Sequence, residues 1–192
     1  FDVVVVGTGP GGGMAAVRLA EAGARVLVLE KERLPRDKAC GGGLTPPVDQ
    51  VVDWDLEPWV RARIHASRWL LDHGREVLAR GTDDFRMVNR RDFDLHIVER
   101  ALRIGAGRVE LRDGFAVGHV EEDGAGVTVH GPAGERIRAR YLVGADGALG
   151  RTARSLGLAR KRRPGIAIDA EIEVAPDVWE EEKARPTFNF AC

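Results

Sequence analysis

Residues 2–30 read DVVVVGTGPGGGMAAVRLAEAGARVLVLE, and this stretch decides the fold. Val3–Val6 is an unbroken run of β-branched residues, which is typical of a parallel strand buried on both faces. A glycine-rich turn and a helical segment at Met14–Ala22 follow, and Gly23 stands where a helix would end. Arg25–Leu29 is a second buried strand. This order of elements predicts a βαβ unit at the start of an α/β domain.

The glycine-rich turn at residues 7–12, GTGPGG, matches the pattern G-x-G-x-x-G. Gly7 permits a tight turn out of the strand, Gly9 lets the backbone approach a pyrophosphate, and Gly12 lets the helix pack closely on the sheet. The N-terminus of the helix then presents N–H groups and the positive end of its dipole to the phosphates. The turn therefore predicts a Rossmann-like domain that binds a dinucleotide.

Glu30 closes the second strand, 23 residues after Gly7. An acidic side chain at roughly 20 residues from the turn accepts hydrogen bonds from the adenosine ribose, and it disfavours a 2′-phosphate. The site therefore favours FAD or NAD over NADP. The alternative, a glycine-rich turn in an ordinary α/β domain, explains neither Gly9 nor Glu30.

The composition limits the classes of protein. The chain has 192 residues, of which 44% are hydrophobic, enough for one large domain or one and a half small ones. Its formal net charge of −1 gives no bulk attraction to nucleic acid or to an anionic membrane. No apolar run reaches the roughly 18 residues that span a bilayer. Cys40 and Cys192 suggest neither a disulfide framework nor a metal site, so we expect a cytoplasmic protein.

Both ends of the sequence predict a fragment of a longer protein. Phe1 lies next to the first strand, and residues 187–192 alternate like a strand with no terminating signal. We therefore expect a domain that the rest of the protein completes.

The loop at residues 31–48 carries three successive glycines, Gly41 to Gly43, directly after Cys40. Three glycines in a row cost backbone entropy, so a compact domain should keep them only where the backbone passes very close to another group. With a flavin nearby, that group would be the isoalloxazine ring, and Cys40 would lie beside the redox centre. The alternative is a flexible surface loop with an inert thiol.

Several segments predict a second, antiparallel sheet. Ala66–Leu71 and Glu76–Ala79 read as strands joined by a hairpin turn at residues 72–75. Trp69 on the first strand belongs either to the core or to a substrate wall. Ile166–Val174 alternates clearly and predicts another strand.

A helix is predicted to run through about Ile104, with Asp92 as its N-cap. Phe93, Ile97, Ala101 and Ile104 recur at helical spacing and should face the core. Arg90, just before this helix, is placed to reach a phosphate; a solvated arginine is the alternative.

Short strands follow the helix. Val109–Leu111, Ala116–Glu121 and Val127–His130 resemble the β-meander of flavoproteins. Residues 136–143 then lead through a buried strand into the turn Gly144–Gly147. Asp146 in this turn would stand at the carboxyl end of a strand, where it could accept a hydrogen bond from a ribitol hydroxyl. A simple Asp-Gly turn is the alternative.

Arg160–Arg163 is a run of four cationic residues. It predicts a solvated face or linker. The alternative is a receptor for an anionic patch, such as a diphosphate substrate, a ferredoxin-like donor or a membrane surface, which includes peripheral membrane contact.

Four motifs now occur in the order of a known family: the glycine turn with Glu30, Cys40–Leu44, Arg90-x-x-Phe93-Asp94 and Gly144–Gly147. Together they resemble the geranylgeranyl reductase family of FAD-dependent oxidoreductases, within the wider p-hydroxybenzoate-hydroxylase-like flavoprotein group. Gly144–Gly147 identifies the wider group, and Cys40–Leu44 points to its reductase branch. The resemblance covers nearly the whole chain.

The resemblance implies an α/β fold in two parts. Residues 1–65 and 84–160 would form a Rossmann-like FAD-binding domain, a parallel sheet with a β-meander. Residues 66–83 and 161–192 would form part of an antiparallel-sheet substrate domain. The implied cofactor contacts are Gly7, Gly9, Pro10, Gly11, Gly12, Glu30, Lys31, Cys40, Gly41, Gly42, Gly43, Arg90, Val117, Ala145, Asp146 and Gly147. Among them, Val117 would contact the cofactor through its backbone near the adenine.

The implied activity is reduction of isolated C=C bonds in a prenyl lipid or prenyl diphosphate by hydride transfer from reduced flavin. NADPH or a ferredoxin-like protein would supply the electrons, and Cys40 is the candidate for a group that positions or protonates the substrate. Alternatives are an FAD-dependent monooxygenase or halogenase of the same fold, and a truncated FAD-binding module without turnover.

Two features depart from the family's pattern. Gly150 stands where such proteins often carry Ser. The family's aromatic stretch and its second Gly-Asp motif, which closes the flavin site, would lie beyond Cys192. We therefore expect these 192 residues alone to bind FAD weakly or not at all.

Overall fold

A computed structural model describes residues 1–159 and 165–190, with the backbone alone at 82–84. The chain divides into two compact units, Phe1–Asp37 with Arg91–Ile166 and Lys38–Arg90 with Ala167–Cys192. In chain order the elements are β1 (Val3–Val6), α1 (Pro10–Glu21), β2 (Val26–Leu29), β3 (Gly43–Leu44), β4 (Val60–Leu71), β5 (Arg75–Val88), α2 (Arg90–Ile104), β6 (Val109–Arg112), β7 (His119–Glu122), β8 (Val127–His130), β9 (Arg136–Ala139), β10 (Tyr141–Gly144), α3 (Thr152–Ser155), α4 (Pro176–Glu182) and β11 (Thr187–Asn189).

The first unit is built on a parallel sheet in the order β10-β1-β2-β6. Every residue of β1 and β2 is buried, because each of these strands has neighbours on both sides and is covered on both faces. The predicted α/β fold with a Rossmann-like sheet is therefore confirmed. The prediction that the strand before Gly144–Gly147 is buried was wrong: β10 pairs with β1 alone among the described strands, and Tyr141 is exposed.

A three-stranded meander, β7-β8-β9, covers one face of the parallel sheet. Val120 and Val129 of the meander share a buried cluster with Val4 and Leu27 of the sheet. The meander is confirmed, but its first predicted strand was wrong. Val109–Leu111 lies in β6, which pairs in parallel with β2 because it follows the crossover helix α2; the third meander strand is instead β9.

Two element boundaries differ from those predicted. β7 begins at His119 instead of Ala116, because Phe115 and Val117 pack against the core cluster from an irregular stretch. The helix α2 begins at Arg90, so Asp92 lies in its first turn and is not the N-cap. The predicted core face of this helix is buried at Phe93, Ile97 and Ala101, whereas Ile104 is half-buried.

The second unit is a mixed sheet in the order β11-β4-β5-β3. The predicted hairpin is confirmed: β4 and β5 pair antiparallel and are longer than the sequence indicated. His73 occupies the left-handed region in their turn, at φ 62°. β11 pairs in parallel with β4, and its Phe188 stacks on Trp69 with the ring centroids 4.8 Å apart. Trp69 is half-buried.

The predicted strand at Ile166–Val174 was wrong. These residues have no regular secondary structure, and Ile166 is 94% exposed. Alternation produces a strand only where a neighbouring strand supplies hydrogen bonds, and none of the described strands pairs with this segment. The cationic run Arg160–Arg163 and Cys192 lie outside the described residues.

The domain bounds predicted from the sequence remain predictions, although the compact units divide the chain elsewhere. Residues 38–65 group with the second unit, because β3 pairs with β5 and β4 begins at Val60. Each unit has its own sheet, and the candidate site residues are distributed over both.

Candidate cofactor site

The carboxyl ends of three parallel strands carry the first group of predicted site residues. Gly7 follows β1, Glu30 follows β2 and Ala145 follows β10. The loops stay tied to the sheet, since the Gly7 amide donates to the Leu29 carbonyl at 2.7 Å and the Ala145 amide donates to the Val6 carbonyl at 2.8 Å. This edge of a doubly wound sheet is where ligands bind, at the strand from which the connections diverge.

The glycine turn and the turn after β10 are in direct contact. Gly7 has a φ of +100°, and a Cβ there would overlap the Ala145 carbonyl. A Cβ at Gly12 would overlap the Gly7 carbonyl and lie 3.1 Å from the Ala145 Cβ. Neither contact can be relieved by a flexible side chain. The two glycines therefore hold α1, β1 and the turn after β10 together.

The N-terminus of α1 is open toward the outside of this edge. Its N-cap is Gly9, which has no side chain to cap the helix, and Pro10 at the first helical position has no N–H. A Cβ at Gly11 would meet no described atom within 4 Å. The first-turn amides of Gly11 and Gly12, at the positive end of the helix dipole, therefore form a cradle suited to an anionic group.

Thr8 and Glu30 are locked together at the same edge. Both are buried, and Glu30 Oε2 accepts hydrogen bonds from the Thr8 amide at 2.9 Å and from the Thr8 hydroxyl at 2.5 Å. Glu30 Oε1 accepts from the Glu32 amide at 3.1 Å. Thr8 was not predicted as a site residue, because it stands at a variable position of the glycine pattern. The only signal for it was a hydroxyl residue between two buried strand ends.

The half-buried Arg36 adjoins Glu30, and the buried Asp94 adjoins Arg36. Arg36 Nε lies 3.4 Å from Glu30 Oε2, and Arg36 Nη2 donates to Asp94 Oδ2 at 3.0 Å. Asp94 belongs to α2, so the pairing joins the loop after β2 to that helix. From the sequence, Asp94 was noted as part of the motif Arg90-x-x-Phe93-Asp94, and Arg36 was not singled out.

The Glu30 carboxylate is held in its charged form. Burial acts to raise the pKa of Glu30, but the Thr8 hydroxyl, the Glu32 and Thr8 amides and the charge of Arg36 together outweigh it, so the pKa lies below its usual value. An ionised, buried carboxylate with remaining acceptor capacity is the group that ribose hydroxyls require.

The Asp146 carboxylate accepts hydrogen bonds from the residues that follow its turn. Its Oδ2 accepts from the amides of Arg151 and Thr152 at 2.6 and 3.0 Å, and its Oδ1 accepts from the Thr152 hydroxyl at 2.7 Å. The carboxylate thus anchors the start of α3. A Cβ at Gly150 would overlap this carboxylate, which accounts for glycine where the family often carries Ser. A ribitol contact for Asp146 and its neighbours Ala145 and Gly147 remains a prediction.

Lys31 and Val117 flank the group around Glu30. Lys31 is exposed and lies 3.5 Å from Glu32 Oε1. Val117 is half-buried in the stretch that follows β6, where the Phe115 amide donates to the Glu30 carbonyl at 2.8 Å. This stretch therefore runs beside the end of β2. The cofactor contacts of both residues remain predictions.

In the second unit the glycine triplet docks on β5. Gly42 is buried with a φ of +74°, and a Cβ there would overlap the Val88 carbonyl; a Cβ at Gly43 would overlap the Phe85 ring. Gly41 has open space in front of it among the described atoms. The sequence predicts that this glycine backbone passes close to another group. For Gly42 and Gly43 that group is β5, so of the three glycines only Gly41 has space for a ligand.

Cys40 is exposed. Its Sγ accepts from the Gly42 amide at 3.5 Å, and the Cys40 amide donates to Asp169 at 3.4 Å. Arg90, the first residue of α2, is half-buried. Roles for Cys40 and Arg90 at a cofactor remain predictions.

Residues 2–154 match the model of the family described as FAD dependent oxidoreductase. The chain belongs to this family. The match covers the parallel sheet, the meander and α2, so the family rests on the same residues that form the cradle. The predicted family and its FAD cofactor are confirmed at this level.

Two curated proteins are similar to this chain over most of its length. Digeranylgeranylglycerophospholipid reductase 1 of Methanopyrus kandleri is 35% identical over 193 residues, covering 94% of this chain and 48% of its own length. Rifampicin monooxygenase of Streptomyces venezuelae is 33% identical over 180 residues, covering 85% of this chain and 35% of its own length. The chain thus spans about half, or less, of the length of these relatives.

Two solved structures share the fold of this chain. A geranylgeranyl bacteriochlorophyll reductase-like protein from Thermoplasma acidophilum superposes with a TM-score of 0.69 at 23% identity, over 82% of this chain and 42% of its own. Halogenase PltM, in complex with phloroglucinol and FAD, gives a TM-score of 0.67 at 18% identity, over 82% of this chain and 36% of its own. At these identities the likeness concerns the fold alone.

The family's FAD fits the donors and acceptors of the first unit. The pyrophosphate matches the glycine cradle at the start of α1, where Gly11 leaves the space that a Cβ would fill. The ionised Glu30 suits the adenosine ribose. In the described part of the chain, no helix combines the length and the apolar character that crossing a bilayer requires.

Proposed function

We propose that the protein containing this chain reduces isolated C=C bonds in a prenyl chain. The observation that carries the proposal is the 35% identity, over 94% of this chain, with a protein named for the reduction of a digeranylgeranylglycerophospholipid. A second relative of the same kind, geranylgeranyl diphosphate reductase of Rhodobacter capsulatus, is 35% identical over 154 residues. The substrate class is therefore a prenyl lipid or a prenyl diphosphate.

The chain's own residues would bind and orient the cofactor. FAD, once reduced, supplies the hydride that one alkene carbon accepts. The amides of Gly11 and Gly12 would hold the pyrophosphate, and Glu30 would hold the adenosine ribose. Lys31, Arg90, Val117 and the turn at Ala145–Gly147 would complete the contacts. An isolated alkene accepts a hydride poorly, so binding must place it tightly in a dry apolar environment.

Cys40 is the proposed group beside the reacting alkene. The second alkene carbon needs a proton, and an exposed thiol next to Gly41, which leaves open space before its Cα, suits that task. Gly42 and Gly43 would hold this segment on β5 while Gly41 approaches the ring. NADPH or a ferredoxin-like protein would supply the electrons.

Product analysis with the full-length protein tests the proposal. The protein would be reduced without oxygen and incubated with geranylgeranyl diphosphate or a digeranylgeranyl lipid, and the products weighed by mass spectrometry. A mass gain of one H2 for each reduced double bond is expected. Unchanged prenyl chains with fully reduced flavin would overturn the proposal.

A monooxygenase is the second candidate, and the identity with rifampicin monooxygenase favours it. Such an enzyme would add one oxygen atom to its substrate in air, with NADPH or NADH consumed. The same mass measurement separates the two reactions. A halogenated product would indicate a halogenase, and bound flavin without any product would indicate a module without turnover.

A further inference from the structure

Three charged side chains with little exposure lie in a row behind the cofactor edge of the first unit. Arg36 lies between two carboxylates, 3.4 Å from Glu30 Oε2 through Nε and 3.0 Å from Asp94 Oδ2 through Nη2. The exposed fractions of the side chains are 5% for Glu30, 10% for Arg36 and 1% for Asp94. Charges this deeply buried are kept only where each is held by partners.

The two oxygens of Glu30 have unequal surroundings. Oε2 faces the Thr8 amide, the Thr8 hydroxyl and Arg36 Nε, and so its acceptor capacity is used by the protein. Oε1 accepts only the Glu32 amide among the hydrogen bonds of the described residues. A carboxylate has about four acceptor positions, so Oε1 is the oxygen with capacity left for a ligand.

The charges of the three side chains do not cancel. Two carboxylates share one guanidinium. Arg36 also keeps a buried donor, Nη1, without a hydrogen-bond partner among the described residues. A buried donor without a partner is uncommon in folded proteins.

We propose that Arg36 is a positioning residue for the adenosine end of the cofactor. It holds Oε2 of Glu30 together with Thr8, so that Oε1 is presented to the ribose hydroxyls. Asp94 holds Arg36 in place from α2. The inference rests on the FAD site of the proposed function and extends it to residues outside the glycine pattern.

Binding of FAD to the full-length apoprotein tests the role of Arg36. Two ligands are compared: FAD, and an FAD analogue built on 2′,3′-dideoxyadenosine, which lacks both ribose hydroxyls. Arg36→Met should raise the dissociation constant for FAD about tenfold and leave that for the analogue unchanged. Arg33→Met is the matched control, because Arg33 lies in the same loop and pairs with Asp113 at the surface.

A second variant separates positioning from folding. Arg36→Met removes the guanidinium that donates to the buried Asp94, which should lower the melting temperature of the apoprotein. The double variant Arg36→Met with Asp94→Asn removes both charges and should recover the melting temperature. Its dissociation constant for FAD should nevertheless stay raised, because Oε2 of Glu30 has still lost its arginine.

The outcomes are distinct. Equal weakening of both ligands, or recovery of FAD affinity together with the melting temperature, would show a structural role only and overturn the inference. An Arg36→Met protein that binds FAD like the wild type would overturn it as well. A wild-type protein that binds no FAD would overturn the proposed function, and the inference with it.

Discussion

The Asp146 carboxylate accepts hydrogen bonds from both the hydroxyl and the amide of Thr152, at 2.7 and 3.0 Å. Thr152 is buried, and its hydroxyl also lies where a Cβ at Gly144 would be. The residue predicted to hold the ribitol is thus already engaged with the start of α3. The turn after β10 and this short helix form one hydrogen-bonded unit, in which the Thr152 hydroxyl is the side-chain donor.

A Thr152→Val substitution should therefore lower the free energy of unfolding by about 1–2 kcal/mol, because it removes a charge-assisted hydrogen bond without changing the shape of the side chain. Urea unfolding measures the change. Thr152→Ser keeps the hydroxyl and should lose less. A Thr152→Val protein as stable as the wild type would show that the bond is not important.

Gly12 and Gly11 should respond in opposite directions to alanine. Gly12→Ala places a Cβ on the Gly7 carbonyl and should destabilise the protein by about 1–3 kcal/mol. Gly11→Ala meets open space within α1 and should stabilise it by about 0.5–1 kcal/mol, because alanine favours the helix. Thermal unfolding of the apoproteins compares them. Equal destabilisation by both substitutions would contradict the packing role assigned to Gly12.

His96 should make stability depend on pH. Burial, and then the charges of Arg103 and Arg100, lower the pKa of His96 from 6.5 to about 4. The unfolded chain therefore takes up a proton on this histidine as the pH falls below 6.5, whereas the folded chain does so only near 4. Stability from neutral His96 is complete above pH 6.5 and is lost progressively on the way down to about 4.

Unfolding free energies at pH 7 and pH 5 would measure this contribution. The wild type should lose up to about 2 kcal/mol between them, since one pKa unit corresponds to about 1.4 kcal/mol. His96→Gln should flatten this part of the curve. His65→Gln, at an exposed position on β4, is the matched control and should keep the slope of the wild type. An unchanged slope in His96→Gln would assign the loss to other groups.

The first βαβ unit could be predicted from the sequence because its signals are local. A valine run, a glycine turn and an acid at the end of the next strand each need only neighbours along the chain. Val109–Leu111 was assigned to the wrong sheet, since a short apolar run does not reveal whether its partner is parallel or antiparallel. Ile166–Val174 shows the same limit. Its alternation of apolar and polar residues indicates which side chains would share a face of a strand, but not whether another strand pairs with it.

The contacts that Thr8, Arg36 and Asp94 form around Glu30 could not be predicted for a related reason. Thr8 and Arg36 lie 22 and 6 residues from Glu30, and Asp94 lies 64 residues away on another element. Only the packing of α2 against this edge brings the charges together. Glycines were better indicators of close contacts. A Cβ at Gly42, Gly43 or Gly150 would overlap a neighbouring group, but the sequence did not identify that group.

The Cys40 thiol should be needed for the reduction of substrate. Its thiol is exposed, and its Sγ accepts the Gly42 amide, so the side chain is held at the start of the glycine triplet and is still accessible. Cys40→Ser keeps an acceptor for that amide but replaces the thiol by a far weaker acid. In the full-length protein the substitution should slow the reduction of a prenyl substrate about tenfold or more, while the FAD dissociation constant stays unchanged.

Single-turnover reoxidation of the reduced flavin by substrate measures the rate of reduction, and fluorescence titration measures the FAD dissociation constant. Full reduction rate in Cys40→Ser would remove the thiol from the reaction, whereas loss of FAD binding would assign Cys40 to the structure of the loop.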